Sequence, residues 1–316
     1  MKIIARWLLL GFLLVSLSGC SNQQAPSAQV VLTSSLDKNL VQALLDAYNP
    51  QAKLKIRWMD SPKPGTKIDL YLEPVRVLGK ETSQLRSWPG SPDQTLPLSF
   101  RNRDGLWYGV FYDPVVLLVK HQYARTLGQE KLTTWYDLPQ AAQGRLTLEN
   151  LTDNDATKEF LTAMASHMGE TEAIHYFRLL KPRITSYGKA PFTPIRMVTV
   201  GDADLAITRR SYVMKYLESD FPAYVLQPLE GSPATLYGLA LNKESSRQEA
   251  AEKFLTWLLT SPEAQKVLRL QQTGFLPIIN ATGKPTDSSK IWLNTAYPDE
   301  QAQNALADTW LREIRL

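Results

Sequence analysis

Val30-Val31-Leu32, Thr33-Ser34-Ser35-Leu36 and then Asp37-Lys38-Asn39-Leu40-Val41-Gln42-Ala43-Leu44-Leu45-Asp46-Ala47-Tyr48 form the stretch from which the fold is read. The first three residues are a short apolar, largely β-branched run, which suits a buried strand. The next four are a polar loop closed by a leucine. From Asp37 onward the apolar residues Leu40, Val41, Leu44, Leu45 and Tyr48 recur at helical spacing, so one face of a helix is predicted over 37–48. A second strand is predicted over 53–58 and a third over 68–72, with Ser61-Pro62-Lys63-Pro64-Gly65 forced into a turn between them. Strand, helix and strand in that order make a βαβ-type unit, whose sheet is largely parallel.

The same alternation runs on. The longest β-rich stretch is 107–120, broken at Asp113-Pro114 because proline cannot donate to a central ladder; it reads as two strands near a crossing between lobes. Thr134-Trp135-Tyr136-Asp137-Leu138 opens a short capped helix, and 144–148 is another strand. Helices follow over 157–169 and 170–181, separated at Gly169. A short helix over 194–200 precedes a strand over 204–208, which leads into Arg209-Arg210-Ser211-Tyr212. Strands return at 225–226 and 237–241. An amphipathic helix spans 246–259, Pro262 starts the next at a favoured first-turn position, and a last helix covers 299–315. Alternating elements without repeats indicate an α/β fold.

The amino-terminal segment reads as a processing signal. Lys2 and Arg6 are followed by an almost unbroken apolar run over 7–17, too short for a retained membrane span. It ends in Leu17-Ser18-Gly19-Cys20, which resembles the lipobox of bacterial lipoproteins, in which the cysteine carries the lipid. Cys20 is the chain's one cysteine, so it has no internal disulfide partner. Residues 1–19 are therefore expected to be a lipoprotein signal peptide and 20–28, rich in Gln, Ser and Pro, a lipid-anchored tether. The formal charge of the 316 residues is +4, of which Lys2 and Arg6 supply two. Near-balance gives no electrostatic reason to expect nucleic acid as a partner.

Four stretches together resemble the extracytoplasmic solute-binding proteins of ABC transporters, in the ferric-ion-type group that also has members for phosphorylated sugars, phosphonates, thiamine and polyamines. They are the opening strand and helix with Ile68-Asp69-Leu70-Tyr71; Thr134 to Leu138 followed by Gly144-Arg145-Leu146-Thr147-Leu148; Val200-Gly201-Asp202-Ala203-Asp204-Leu205-Ala206-Ile207; and Glu230-Gly231-Ser232-Pro233, Gly238-Leu239-Ala240-Leu241, Ala250-Ala251-Glu252-Lys253-Phe254-Leu255 with Ser261-Pro262-Glu263-Ala264-Gln265. The resemblance implies a two-lobed periplasmic binding protein type II fold, two mixed sheets joined by crossing hinge strands. Residues 29–116 with 236–284 would form lobe 1, and 117–235 with 285–316 lobe 2. It implies a monomer on the periplasmic side of a bacterial membrane, attached through its lipid alone, that needs no cofactor and delivers a small-molecule solute to permease and ATPase subunits.

Solute-facing groups are expected at the carboxyl ends of strands and at helix amino termini. Ferric members carry an adjacent tyrosine pair and a first-loop histidine; here those positions hold Arg210-Ser211 and Leu36. Tyr212 alone remains, and hard Fe³⁺ requires several anionic oxygens. An arginine at such a loop recognises carboxylate or phosphate through paired hydrogen bonds. Arg209 and Arg210 point in roughly opposed directions, and Arg210 is assigned to the cleft. Ser34 and Ser35 offer hydroxyls and free N–H groups to an anion, or act as plain helix caps. Gly188 and Lys189 form a comparable loop, and Tyr187 before them is, with Trp107, Tyr108, Tyr112 and Tyr237, among the aromatics expected as core or cleft walls. Thr152 lies where ferric members present small hydroxyl residues, but Asp153 and Asp155 beside it would repel an anion. Either they are caps, or the solute carries an amine as well, with Glu230 at the same cationic end or in a turn. The ligand set is thus Ser34, Ser35, Thr152, Tyr187, Gly188, Arg210, Tyr212 and Glu230, for a small anionic solute: phosphorylated, phosphonate or carboxylate. Alternatives are Fe³⁺, a polyamine or thiamine on the same fold, solute sensing for a signalling partner, or a hydrolytic enzyme. Against the last, no Ser-centred elbow, zinc pattern, Walker loop or dinucleotide fingerprint occurs.

Overall fold

The computed structural model describes residues 29–88, 96–127, 132–141, 144–216, 221–270, 273–280 and 282–316. Cys20, the signal segment 1–19 and the tether 20–28 lie outside the described residues.

Strand β1 (Val30–Thr33) is buried along its whole length. It pairs in parallel with β2 (Ile56–Met59) and β3 (Leu70–Pro74), Leu32 lying opposite both Trp58 and Leu70. Helix α1 (Lys38–Tyr48) starts one residue later than the pattern predicts, because Asp37 is its N-cap and accepts from the Asn39 N–H at 2.9 Å. Its buried face is Leu40, Val41, Leu44, Leu45 and Tyr48, the stripe read from the spacing. Helix α2 (Val75–Lys80) follows β3 directly, and β4 (Leu85–Arg86) is a short edge piece.

Strand β5 (Trp107–Lys120) corrects the expectation of a break at Asp113-Pro114: it is continuous over 14 residues. Up to Tyr112 it lies between β10 (Ser232–Asn242) and β11 (Leu276–Pro277), and from Val115 it pairs with β8 (Leu205–Arg209) and β9 (Ala223–Leu226). Pro114 falls between these ladders, opposite Ala234 alone, the one-sided setting in which a strand proline is tolerated. Strand β10 is likewise longer than the predicted 237–241, since Ser232 and Pro233 pair with β12 (Ile291–Trp292).

After β5 come α3 (His121–Thr126), β6 (Leu146–Glu149), α4 (Asp155–Met168), α5 (Glu170–Leu180), β7 (Ile184–Gly188), α6 (Thr193–Val200) and α7 (Arg210–Met214). The carboxyl-terminal part adds α8 (Gln248–Thr260), α9 (Pro262–Leu270) and α10 (Glu300–Trp310), the last continued by one π turn. The short helix expected from Thr134 is instead a run of turns. The Asp137 carboxylate accepts from the N–H groups of Thr133 at 2.8 Å and Thr134 at 2.7 Å, folding the segment back on itself.

The strand order β2-β1-β3-β10-β5-β8-β6-β7 divides at β5 into two mixed halves, each with its own core. One core gathers Leu32, Leu40, Leu44, Phe111, Phe254 and Leu258; the other gathers Leu117, Trp135, Leu146, Phe160, Phe177 and Trp310. Burying a side chain of this size stabilises by about 1.5–3 kcal/mol, so each half holds its shape through its own apolar contacts. The two lobes are tied by β5 and β10, which run through both.

Candidate functional site

The parallel strands β1 and β3 of one lobe, and β6, β7 and β8 of the other, end toward the gap between the lobes. Ordered groups from both sides meet there. From the first lobe, the Ser35 N–H donates to Glu73 Oε1 at 2.9 Å and its hydroxyl donates to Glu73 Oε2. Burial pushes the Glu73 carboxyl up, against the lowering effect of those bonds and of Arg76. Ser34 is directed differently: fully buried, it donates to the Leu72 carbonyl at 2.7 Å and accepts from the Leu36 N–H at 3.2 Å. It pins the end of β1 to β3 and leaves Ser35 to face the gap.

From the second lobe come Arg209, Arg210 and Tyr212 at the end of β8. Arg209 is 6% exposed. It donates to Thr235 Oγ1 and to the Ala156 carbonyl, each at 2.6 Å, and although burial opposes its charge, Asp113 and Glu159 raise its pKa on balance. Asp113 accepts from the Ser211 N–H at 3.0 Å and the Ser211 hydroxyl at 2.6 Å; burial still pushes its carboxyl up. Arg210 is half-buried and donates through Nη1 to the Gly274 carbonyl at 2.9 Å. That approach requires glycine: Gly274 has φ +83°, and a Cβ there would lie 2.4 Å from Ser211 Cα. Among the described residues Arg210 has no carboxylate partner, and desolvation lowers its pKa.

Tyr212 lies within electrostatic reach of Arg209, Glu149, Asp113 and Arg76, and burial raises its hydroxyl. Tyr237 on β10, stacked on Phe111 with centroids 5.5 Å apart, is raised for the same reason. Glu149 ends β6 opposite Gly188 of β7. Its carboxylate takes no hydrogen bond or ion pair from the described residues; burial raises its pKa, Asp113 and Asp153 add to this, and Arg209 opposes it. Glu149, Thr157, Thr208 and Arg209 line a cavity of about 20 Å³ between β6, β8 and α4.

The lobes are bridged on both sides of the gap. Arg76 and Lys80, one turn apart on α2, pair with Glu159 at 2.8 Å and Asp155 at 3.2 Å, one turn apart on α4. At the opposite rim Lys215 pairs with Asp37 at 2.8 Å.

The structure thus brings Ser35, Arg210 and Tyr212 to the gap with Gly188 beside Glu149. Gly188 itself is needed for packing, because a Cβ there would lie 2.9 Å from the Thr193 Cβ. Thr152 is half-buried and donates to Asn150 Oδ1 at 3.3 Å. The cap of α4 is Asn154, so neither Asp153 nor Asp155 has that role: Asp153 accepts from the Asn150 side chain, and Asp155 pairs with Lys80. Two expected residues stand apart. Tyr187 packs against Trp310 under the Arg315 guanidinium, in the second core. Glu230 Oε1 accepts from the Trp135 N–H, fastening the 133–138 turns beside the Trp135 Nε1–H bond to the Gly231 carbonyl. Glu73, Arg76, Asp113, Glu149 and Glu159 were not singled out by sequence reasoning, and Tyr237 was read only as one of several aromatics forming core or cleft wall; for the acids the one signal present was Asp113-Pro114, read as a break rather than as a cleft acid.

His121, His167 and His175 are exposed, and among the described residues no group of three or more His, Cys, Asp or Glu could hold a metal ion. No helix among them is long and apolar enough to cross a membrane.

The family profile for bacterial extracellular solute-binding proteins matches residues 108–276, just over half of the chain. An uncharacterized protein of Haemophilus influenzae is 26% identical over 166 residues, covering 49% of this chain and 48% of its own. Iron uptake protein A1 of Synechocystis sp. is 22% identical over 186 residues, 54% of this chain and 50% of its own. The chain spans about half the length of these curated relatives. Among solved structures, the periplasmic binding protein AfuA from Actinobacillus pleuropneumoniae, with fructose-6-phosphate bound, is similar at 20% identity and TM-score 0.65 over 91% of this chain and 99% of that one. A Bordetella ferric binding protein is similar at 19% identity and TM-score 0.72 over 90% and 100%.

Proposed function

This chain belongs to the bacterial extracellular solute-binding proteins, and we propose that it holds a small solute with an anionic group between its lobes and presents it to an ABC permease. The observation that carries this reading is Arg210. It stands half-buried at the gap with one nitrogen given to the Gly274 carbonyl and no carboxylate partner among the described residues. A desolvated, uncommitted guanidinium next to Tyr112 is ready to take a carboxylate, phosphate or phosphonate through paired charge-assisted hydrogen bonds. Arg209 is the less suitable of the two, since Thr235, Ala156, Asp113 and Glu159 already engage it.

In this reading lobe 1 is 29–116 with 236–284 and lobe 2 is 117–235 with 285–316. The two cores support that division except at Val115, which packs in the second core, and at Ala234 and Ile291, which pack in the first. The ion pairs across the gap are contacts that closing of the lobes can make and opening can break. The lipid on Cys20 would keep the protein at the periplasmic face of a membrane, within reach of permease and ATPase subunits. The test is a thermal-shift screen of phosphorylated sugars, phosphonates, dicarboxylates, polyamines and Fe³⁺. A solute that binds only the folded state raises the melting temperature by mass action. A shift with an anionic solute that is absent in Arg210→Ala supports the reading; a shift with Fe³⁺ or polyamines alone removes it.

A further inference from the structure

Arg210 reaches the gap from the first residue of α7, a helix of five residues. In so short a helix the leading N–H groups depend on acceptors from outside, and Arg209, the residue before it, supplies no side-chain cap. The acceptor comes from another strand. Asp113, 2% exposed, accepts from the Ser211 N–H at 3.0 Å through Oδ1 and from the Ser211 hydroxyl at 2.6 Å through Oδ2. Both of its oxygens are thus committed to the residue beside Arg210.

Asp113 stands on β5 opposite Thr235 of β10, and these are the two strands that run through both lobes. On the other flank Gly274 closes on the same pair of residues. A Cβ there would lie 2.4 Å from Ser211 Cα and 2.7 Å from the Arg210 carbonyl carbon, and the Gly274 carbonyl accepts from Arg210 Nη1 at 2.9 Å. The backbone of Arg210 and Ser211 is therefore gripped from two sides. A guanidinium that starts from a fixed point loses less freedom when it takes an anion, and that saving appears as affinity.

We propose that Asp113 is the positioning residue of the anion site: through its two bonds to Ser211 it fixes the start of α7, and so the point from which Arg210 takes the solute. The inference rests on the proposed role of Arg210. The charge of Asp113 serves the buried Arg209, whereas toward a bound anion it is repulsive, so its benefit to binding lies in the bonds it accepts.

The experiment compares Asp113→Asn with Asp113→Ala. Both remove the charge, but asparagine keeps the bonding: its side-chain oxygen accepts from the Ser211 N–H and its amide donates to the Ser211 hydroxyl oxygen. Affinity is read by calorimetric titration of the purified full-length protein with inorganic phosphate, ethylphosphonate and succinate, with Arg210 present and in Arg210→Ala. Thermal melts set the titration temperature below unfolding for every variant. Asp113→Ala binds the tightest of the three anions about fivefold to thirtyfold more weakly than Asp113→Asn, the effect of one or two hydrogen bonds. In Arg210→Ala the two substitutions bind alike, because no guanidinium remains to be positioned. Ser211→Ala, which removes one bond and keeps the charge, weakens the anion about twofold to tenfold while Arg210 is present, and it decides the matter if Asp113→Ala does not fold. Equal affinity of Asp113→Ala and Asp113→Asn, a difference that persists without Arg210, or an unaltered affinity in Ser211→Ala overturns the inference and leaves the anion reading standing. An affinity that Arg210→Ala by itself does not change overturns the anion reading, and this inference with it. Binding of none of the three anions to the wild type also removes the inference, and Arg210 is then judged on the wider screen alone.

Discussion

Arg76 of α2 and Glu159 of α4 meet at 2.8 Å across the gap between the lobes, on side chains 27% and 13% exposed. Glu159 Oε2 also accepts from the Thr235 hydroxyl, which in turn accepts from Arg209. This row of bonds passes over β10, one of the two strands that join the lobes. Glu159→Ala should therefore lower stability by about 1–3 kcal/mol, leaving a partly buried guanidinium and a hydroxyl without their acceptor. Lys80→Ala, at the exposed rung of the same ladder, should change it by less than about 0.5 kcal/mol. Urea unfolding of both variants checks this; equal effects would contradict the assignment of Glu159 to a buried interlobe network.

Arg210→Ala should weaken an anionic solute by about tenfold to a hundredfold, the range for hydrogen bonds to charged groups. It should leave the unfolding midpoint nearly unchanged, because the side chain gives the protein one hydrogen bond, to Gly274. Titration calorimetry beside thermal melting separates these outcomes, and a variant that loses fold and affinity together would argue for a structural arginine.

The Glu149 carboxyl is raised above its ordinary value of 4.5, first by burial. A raised pKa means that the folded protein holds the proton more tightly than the unfolded chain. Its stabilising effect is complete below the unfolded value and is lost as pH rises through the folded one. Glu149→Gln should accordingly raise stability at neutral pH, by an amount that shrinks on acidification toward pH 4. Urea midpoints at the two pH values check this; a gain that is independent of pH would show that Glu149 is not desolvated as described.

Cys20→Ala should abolish incorporation of radioactive palmitate and leave the signal segment uncleaved. Labelling that persists in the variant would place the lipid on another residue, and a wild type that takes up no label would remove the lipid anchor.

The first half of the fold was legible where local pattern and tertiary role coincide. The β1 run and the α1 stripe are both set by which residues the core buries, and burial writes the period into the sequence. Strand β5 was not legible as one piece, because the tolerance of Pro114 depends on which neighbours flank it, and those come from β8, β10 and β11, far away in the chain. The Thr134 segment misled for a related reason: Asp137 followed by Leu138 suits a helix, yet its carboxylate folds back onto the preceding amides. Of the site, Arg210 and Tyr212 could be picked out because they follow a strand in a resemblance that fixes the strand's end. Glu149 and Asp113 could not, since single carboxylates carry no spacing signal, and Glu230 and Tyr187 were drawn in by residue type though packing holds them elsewhere.

The central claim is that the gap between the lobes binds a solute through Arg210 and returns it unaltered. The direct measurement is calorimetry on the wild-type protein and Arg210→Ala with the tightest anionic solute from the screen, followed by mass spectrometry of the recovered solute. The account predicts saturable one-to-one binding to the wild type, lost affinity in the variant, and solute of unchanged mass. Undiminished affinity in Arg210→Ala, or conversion of the solute, would contradict it.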